Sequence, residues 1–289
     1  MTTTHTTRLF GVLAHPGGEN LIHSMLAKAA DVNGVDAAFL LFDFQAKDIA
    51  EPIESLRSLS AGGAYLTGRL REAAGNLVDY LSDEAHGAGT INAITFSDDT
   101  ATGHNTEVKG IIDLLEPYEN AFSNRSAVIL GAGVMARAAA WAVIRHFRVR
   151  HVALADRSVQ RARSLKGDMT SRKTDSTVTA YELFPPDIAD VLAEAKLIVN
   201  ATSVGTGPTA GETPVSLPDI FHPGQIVLDV VYSPEKTRLL SDAESGGATI
   251  INGKDVMLRQ VGHAFQLLTE TDFPAGEVAK IMNGGNEVS

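Results

Sequence analysis

The sequence predicts an α/β protein with two domains: an N-terminal α/β substrate domain and a Rossmann domain built on a doubly wound parallel sheet. Three observations carry this. Short apolar runs alternate with helical patterns along the chain, as expected for strands separated by crossover helices. One such run, Ala127 to Leu130, feeds straight into Gly131-Ala132-Gly133-Val134-Met135-Ala136, a Gly-x-Gly-x-x-Ala turn, and an alanine-rich helical pattern follows through Phe147. A further strand, His151 to Ala155, ends in Asp156, near the spacing of ~20 residues at which an acid takes the ribose hydroxyls of a dinucleotide.

In the N-terminal half, Leu9 to Leu13 is an unbroken apolar run and reads as a strand. Apolar residues at helical spacing predict a helix over Leu21 to Ala30. A strand at Ala37 to Phe42 and a helix at Ile49 to Leu59 repeat the alternation, and Gly62-Gly63 introduces a short strand through Thr67. The spacing predicts a helix over Leu70 to Leu81, then strands at Ile91 to Phe96 and Thr100 to His104. Glu107 to Leu115 reads as a linking helix, and Pro117 to Asn124 as a polar, turn-rich boundary. Strands follow near 127–131, 151–155, 177–182, 196–200, 226–231 and 248–251, with helices between them, which favours a parallel sheet. Turn chemistry concentrates at Tyr181 to Pro186 and Thr206 to Pro218. The last helices, Asp255 to Thr269 and Ala275 to Met282, are expected to return to the first domain. The division expected is therefore a substrate-binding catalytic domain at 1–106, completed by the helices of 253–289, and a dinucleotide-binding domain at 107–252. Cofactor and substrate would meet in a cleft between the two, at the C-terminal edge of the parallel sheet.

Composition narrows the function. A chain of 289 residues has room for two domains, and its 44% hydrophobic and 20% charged residues are ordinary for a globular protein. The formal charge of −11 argues against nucleic acid or an anionic membrane surface as partner. There is no cysteine, which excludes disulfides, thiolate metal sites and a cysteine nucleophile. Met1 to Arg8 lacks the apolar core of a signal peptide, and no run reaches the ~18 apolar residues of a membrane helix, so a cytoplasmic protein is expected. The nine histidines form no ligand-spaced set, and no metal is expected. A small-molecule substrate and a monomer or homodimer complete the expectation.

The glycine turn makes the chemistry specific. Gly131 permits the tight turn, Gly133 lets the backbone approach a pyrophosphate, and Ala136 lets helix and strand pack closely. The phosphates would lie at a helix N-terminus, where free N–H groups favour negative charge. Residues Gly131, Ala132, Gly133, Val134 and Met135, with Asp156 and Arg157, are thus the candidate cofactor-binding residues.

With that turn in place, further segments resemble the shikimate/quinate dehydrogenase family in one order. They are Gly11-Val12-Leu13-Ala14-His15-Pro16, Leu66-Thr67 with Arg71-Glu72-Ala73, Ala88-Gly89-Thr90-Ile91-Asn92, and Gly103-His104-Asn105-Thr106-Glu107. Downstream lie Asn200-Ala201-Thr202-Ser203-Val204-Gly205, then Asp229-Val230-Val231-Tyr232-Ser233-Pro234 with Thr237 and Leu240, and finally Gly253 with Met257-Leu258-Arg259-Gln260 and Ala264-Phe265. The resemblance implies that Thr67, Asn92, Tyr232 and Gln260 contact substrate hydroxyls. It also implies that Thr202 and Val204 lie near the cofactor, with Val231, Gly253 and Met257 at its nicotinamide end.

The departures from the family are as informative. A lysine and an aspartate beside the reacting hydroxyl are Arg71 and Glu107 here. Arginine holds its proton, with an unperturbed pKa above ~12, so it is a poor base but a good fixed charge. Glu107 then stands as base or orienting partner; a surface salt bridge between the two is the plain alternative. The family's serine pair in a His-Ser-x-Ser-Pro loop is missing, the corresponding stretch holding Glu19, Asn20, Ile22 and His23, and the asparagine before Val-Thr is Tyr65. Asn20 and Tyr65 are therefore candidate substrate contacts of altered character, with His23 and His104 as reserve acid/base groups. For the cofactor, Asp156-Arg157-Ser158 stands where NADP-using members carry Asn-Arg-Thr. A carboxylate there repels a 2′-phosphate, Arg157 and Arg161 offset it, and of NAD or NADP the former is favoured.

The function expected is an NAD(P)-dependent oxidoreductase acting on a secondary alcohol or ketone of a small cyclic hydroxy acid, shikimate itself not being the substrate. The alternative is a catalytically silent nicotinamide-nucleotide-binding regulatory protein. A Rossmann reductase of another lineage, for folate or amino acids, is opposed by the ordered motifs.

Overall fold

Continuous apolar strands buried on both faces need helices on either side, and the chain supplies them in alternation. The computed structural model describes residues 3–15, 20–171, 173–183 and 185–283. In chain order its elements are β1 (Arg8–Ala14), α1 (Leu21–Asn33), β2 (Ala37–Asp43), α2 (Ala50–Ser58), β3 (Gly63–Leu66), α3 (Leu70–Ala73), β4 (Tyr80–Leu81), α4 (Asp83–Ala88), β5 (Ala93–Ser97), β6 (Thr100–His104), α5 (Thr106–Leu115) and α6 (Glu119–Phe122). They continue with β7 (Ser126–Leu130), α7 (Val134–Trp141), β8 (His151–Asp156), α8 (Val159–Thr170), β9 (Thr177–Glu182), α9 (Pro185–Glu194), β10 (Leu197–Asn200), β11 (Ile226–Asp229), α10 (Arg238–Ser245), β12 (Thr249–Ile251), α11 (Gly253–Thr269) and α12 (Ala275–Asn283). The chain forms two units, Met1–Glu107 with Leu258–Ser289, and Val108–Met257. The divisions fall inside α5 and α11, not in the polar stretch at 117–124, which folds as a 3₁₀ turn and the short α6.

The first unit is built on a six-stranded mixed sheet in the order β2-β1-β3-β5-β6-β4. β1 pairs in parallel with β2 and β3, while β5 runs antiparallel to both β3 and β6. β2 lies at the sheet edge and alternates, burying Ala37 and Phe39 but exposing Leu40 and Phe42. Phe39 stacks between Phe10 and Phe265, with ring centroids 5.0 and 6.3 Å away, so α11 is tied to this sheet by aromatic packing. α12 packs on α1. A second cluster joins Leu13, Ile53, Leu56, Leu66, Leu70 and Ile94. Each such buried aliphatic side chain contributes roughly 1.5–3 kcal/mol.

The helix expected over Leu70 to Leu81 is only α3 followed by a 3₁₀ turn at Ala74–Leu77. Gly75 and Asn76 interrupt a good helical pattern, and glycine costs about 1 kcal/mol against alanine there. Val78 then turns extended. Asp79 Oδ2 accepts Ala101 N at 2.7 Å and Arg57 Nη2 at 3.2 Å, which holds the next residues, β4, alongside β6. The helix α4 follows, capped by Ser82, whose Oγ accepts Ala85 N at 3.2 Å. The strand expected from Ile91 starts at Ala93.

The second unit carries a six-stranded, all-parallel sheet in the order β12-β11-β10-β7-β8-β9. This is the doubly wound arrangement, with the reversal between β7 and β10. β10 and β11 are buried throughout, and Val128, Leu130, Leu192, Ile198, Val227 and Leu240 form the core against the flanking helices. The helix after the glycine turn is regular only to Trp141. Ala142–His146 is a π segment, closed by Phe147 N to Ala142 O at 3.1 Å. No helix among the described residues is long and apolar enough to cross a membrane.

Candidate active site

In the first unit, β3 ends at Leu66 and places Tyr65 inside, α3 carries Arg71, and α5 begins with Thr106 and Glu107. Arg71 Nη1 and Glu107 Oε1 form a direct ion pair, while Arg71 Nε donates to Gly68 O at 3.0 Å. The Glu107 side chain is 1% exposed and that of Arg71 18%, so this is not the surface salt bridge of the plain alternative. Taking a carboxylate out of water costs several kcal/mol, which the guanidinium and the N-terminal turn of α5 offset. Glu107 Oε2 is buried without a hydrogen-bond partner among the described residues.

Beside the pair lies a buried polar chain. Asn92 Nδ2 donates to Thr106 Oγ1 at 2.8 Å and to Tyr65 Oη at 3.2 Å, and Asn92 Oδ1 accepts Thr106 N at 2.7 Å. Thr106 Oγ1 donates to Gln260 O at 2.9 Å, and the Gln260 side chain also bonds the Tyr65 hydroxyl. Burial, and then the Glu107 carboxylate, push the Tyr65 phenol well above its usual range, against the opposing pull of Arg71. Tyr65 is therefore a neutral phenol at any ordinary pH. Thr67 is half-buried, with its hydroxyl 3.4 Å from Leu13 O.

The structure thus brings Tyr65, Arg71, Asn92, Glu107 and Gln260 together, with Thr67 one residue beyond β3. Thr106 is the hub of the network, yet sequence reasoning left it without a role although it sits in a quoted segment. Asn20 is the N-cap of α1, its Oδ1 accepting Ile22 N and His23 N at 3.1 and 3.2 Å. His23 Nε2 bonds Phe39 O, from α1 to β2, and His104 Nε2 bonds Thr95 Oγ1, between β6 and β5, so each imidazole is engaged in holding elements of the first unit together. Pro16 and Glu19 lie outside the described residues.

In the second unit, Gly131 follows β7 with φ +105°, and a Cβ built there would stand 3.0 Å from Ala201 O. Only glycine fits this left-handed turn at so close an approach. Gly133 is different: the nearest atom to a built Cβ is Arg161 Nη2 at 3.9 Å, so space lies open over the turn where α7 begins, at Val134 and Met135. These features fit a dinucleotide pyrophosphate. Asp156 ends β8, its Oδ1 accepting Ser158 N at 2.9 Å and its Oδ2 standing 3.9 Å from Arg161 Nη1; Arg157 is exposed.

The loops after β10 and β11 lock together through Asn200 and Asp229. Asn200 Oδ1 accepts Thr202 N and Oγ1, and Thr202 Oγ1 in turn accepts Val204 N. Asn200 Nδ2 reaches Asp229 Oδ1 at 2.9 Å, which also accepts Val231 N, while Thr237 Oγ1 donates to Asp229 Oδ2 at 2.6 Å. Burial pushes the Asp229 carboxyl up, and these donors oppose it. Gly253 opens α11 against the Val231 backbone, with a built Cβ only 2.4 Å from Val231 O. Tyr232 is exposed, and Met257 is half-buried in α11. Asn200, Asp229 and Thr237 were legible only as parts of motifs; their mutual bonding was not.

The family model described as shikimate/quinate 5-dehydrogenase matches residues 113–210. A shikimate dehydrogenase (NADP(+)) from Moorella thermoacetica is 32% identical over 96% of this chain and 93% of its own length. The crystal structure of shikimate 5-dehydrogenase from Listeria monocytogenes in complex with shikimate and NAD is similar with a TM-score of 0.90, at 28% identity over 98% of each chain. Quinate dehydrogenase from Corynebacterium glutamicum, solved with NAD, is similar with a TM-score of 0.83 and 25% identity, over 95% of this chain and 98% of its own. Its sequence relatives, its fold and its ordered motifs agree, and the chain belongs to the shikimate/quinate dehydrogenase family.

Proposed function

We propose that this protein is an NAD(P)-dependent oxidoreductase that interconverts a secondary alcohol and a ketone on a small cyclic hydroxy acid other than shikimate. The observation that carries this reading is the ion pair of half-buried Arg71 with buried Glu107, one carboxylate oxygen of which is unpartnered. When bound, the nicotinamide supplies hydride chemistry, and Gly131 to Met135, Asp156, Arg157, Thr202, Val204, Val231, Gly253 and Met257 are the residues we assign to hold it. Glu107 Oε2 takes the hydroxyl proton as the alcohol is oxidised and returns it on reduction. Arg71 stays charged, fixes Glu107 through Oε1, and stabilises negative charge on the reacting oxygen. Asn92, Gln260, Thr67 and Tyr65 orient hydroxyls, with Asn20 and Tyr232 as further contacts.

A substrate other than shikimate is supported by Tyr65, a large buried phenol, and by Asn20, whose amide oxygen is committed to capping α1. NAD over NADP is supported by the Asp156 carboxylate, while Arg161 beside the turn softens that preference. The test is nicotinamide absorbance with NAD and with NADP across a panel of cyclic hydroxy acids that includes shikimate and quinate. Turnover of shikimate at rates matching the best substrate would end the altered-specificity reading. Tight cofactor binding with no turnover on any alcohol would instead favour a silent nucleotide-binding protein, which the arginine in place of a titratable lysine also permits.

A further inference from the structure

At the opposite edge of the parallel sheet lies a feature that the oxidoreductase reading does not use. The N-terminal ends of β8 and β9, the end of the π segment and the loop before β9 enclose a cleft of about 850 Å³. Arg145, Arg148, Arg150 and Lys173 line it, with Asp175 as the one carboxylate in the lining. β8 separates it from Asp156 by six residues, roughly 15–20 Å at ~3.3 Å per residue, so it is a different place from the glycine-turn end.

Four cations around one hollow are unexpected in a chain of net charge −11. Among the described residues none of the four is in an ion pair, whereas Arg57, Arg71 and Arg137 pair with Asp79, Glu107 and Asp168. Asp175 is the one carboxylate of the lining to set against them. The backbone that carries them is held in place, and so is the Arg145 side chain. Arg145 Nη1 donates to Lys173 O at 2.5 Å, which joins the helix end to the loop that carries the lysine. Thr177 N bonds Arg150 O at 2.8 Å and anchors the start of β9 beside it. Arg148 has φ +52°, a left-handed conformation in which glycine is the lower-energy choice, so a long cationic side chain sits here against backbone preference. Asn124, also lining the cleft, has φ +57°.

We propose that this cleft is a second ligand site, for a small molecule bearing two or three linked phosphate groups. A single phosphate would leave most of the cations unsatisfied, while arginine forks suit several phosphate oxygens at once. The volume lies within the range of small-molecule sites. Asp175 at the wall disfavours an anion at its own position and so sets where the phosphates lie.

Inorganic tripolyphosphate is the probe, titrated calorimetrically at low salt into the full chain and three variants. Wild type binds it, with affinity falling as salt rises. Arg148→Gly/Arg150→Gln/Lys173→Gln loses about tenfold or more, the equivalent of one or two charge-assisted bonds. Lys28→Gln, at a surface lysine of α1 in the other unit, binds it as wild type does. Arg148→Gly alone separates structure from binding, since it relieves a left-handed residue and keeps or raises the Tm while weakening the probe. No binding by wild type, or equal binding by the triple variant, would overturn the proposal. So would a mixed-sequence oligonucleotide or an acidic peptide that binds through these residues while tripolyphosphate does not.

Discussion

Glu107 has one oxygen on Arg71 and the other buried and unpartnered, and that asymmetry sets what its replacement does. Glu107→Gln keeps the shape and an acceptor for Arg71 but removes the proton acceptor. It should lower kcat by about 10²–10⁴-fold, the usual worth of a positioned base, with cofactor dissociation unchanged. Steady-state kinetics beside a cofactor titration would check it, and a Gln variant with unaltered kcat would remove Glu107 from the chemistry. Arg71→Ala leaves the carboxylate buried and unpaired, at a cost of about 3–5 kcal/mol in stability. Tyr65 adds a pH dependence of known sign. Its folded pKa is raised, so its proton stabilises the native state below the unfolded value near ~10 and that stability is lost as pH rises past it. Urea midpoints followed to high pH should fall more steeply for wild type than for Tyr65→Phe; parallel curves would contradict the burial of a neutral phenol.

At the scale of elements, close backbone contacts predict where a methyl group cannot go. Gly253→Ala would drive its Cβ into the Val231 backbone at the start of α11, costing about 1–3 kcal/mol by overpacking, visible as a lowered Tm. An unchanged Tm would mean that α11 starts elsewhere. The same contact was hidden in the sequence, where Gly253 stood only as part of a resemblance. The parallel sheet was legible because each strand is a buried apolar run with a helix after it. β6 was legible to the residue, and the glycine turn was legible because φ +105° at Gly131 demands its residue type. The helix over Leu70 to Leu81 was misread because local spacing is blind to β6: the Asp79 bonds to Ala101 and Arg57 come from residues 22 positions away. α4 was overlooked although Ser82 followed by Asp83-Glu84 is a helix-start signal. In the site, residue types were readable from the motifs. The network through Thr106 was not, since it joins residues up to 154 positions apart.

At the scale of the whole molecule, the chain passes between its two units twice, within α5 and within α11, and the assigned chemistry, Tyr232 aside, divides the same way. Arg71, Glu107, Asn92 and Gln260 belong to the first unit; the glycine turn, Asp156 and the Asn200–Asp229 lock belong to the second. The two halves of the function should then be separable by mutation. Asn92→Ala removes bonds to Tyr65 and Thr106, and leaving buried groups unpaired costs about 1–3 kcal/mol. It should lower kcat/KM for the hydroxy acid by about tenfold or more while NAD dissociation stays at the wild-type value. Asp156→Ala removes the carboxylate expected to hold ribose hydroxyls and leaves Arg161 without its nearest acid. NAD should bind about tenfold more weakly, NADP should gain relative to NAD, and KM for the hydroxy acid at saturating cofactor should not move. Both constants measured on both variants decide it: if Asn92→Ala weakened NAD as much as Asp156→Ala does, the assignment of cofactor and substrate to separate units would be wrong.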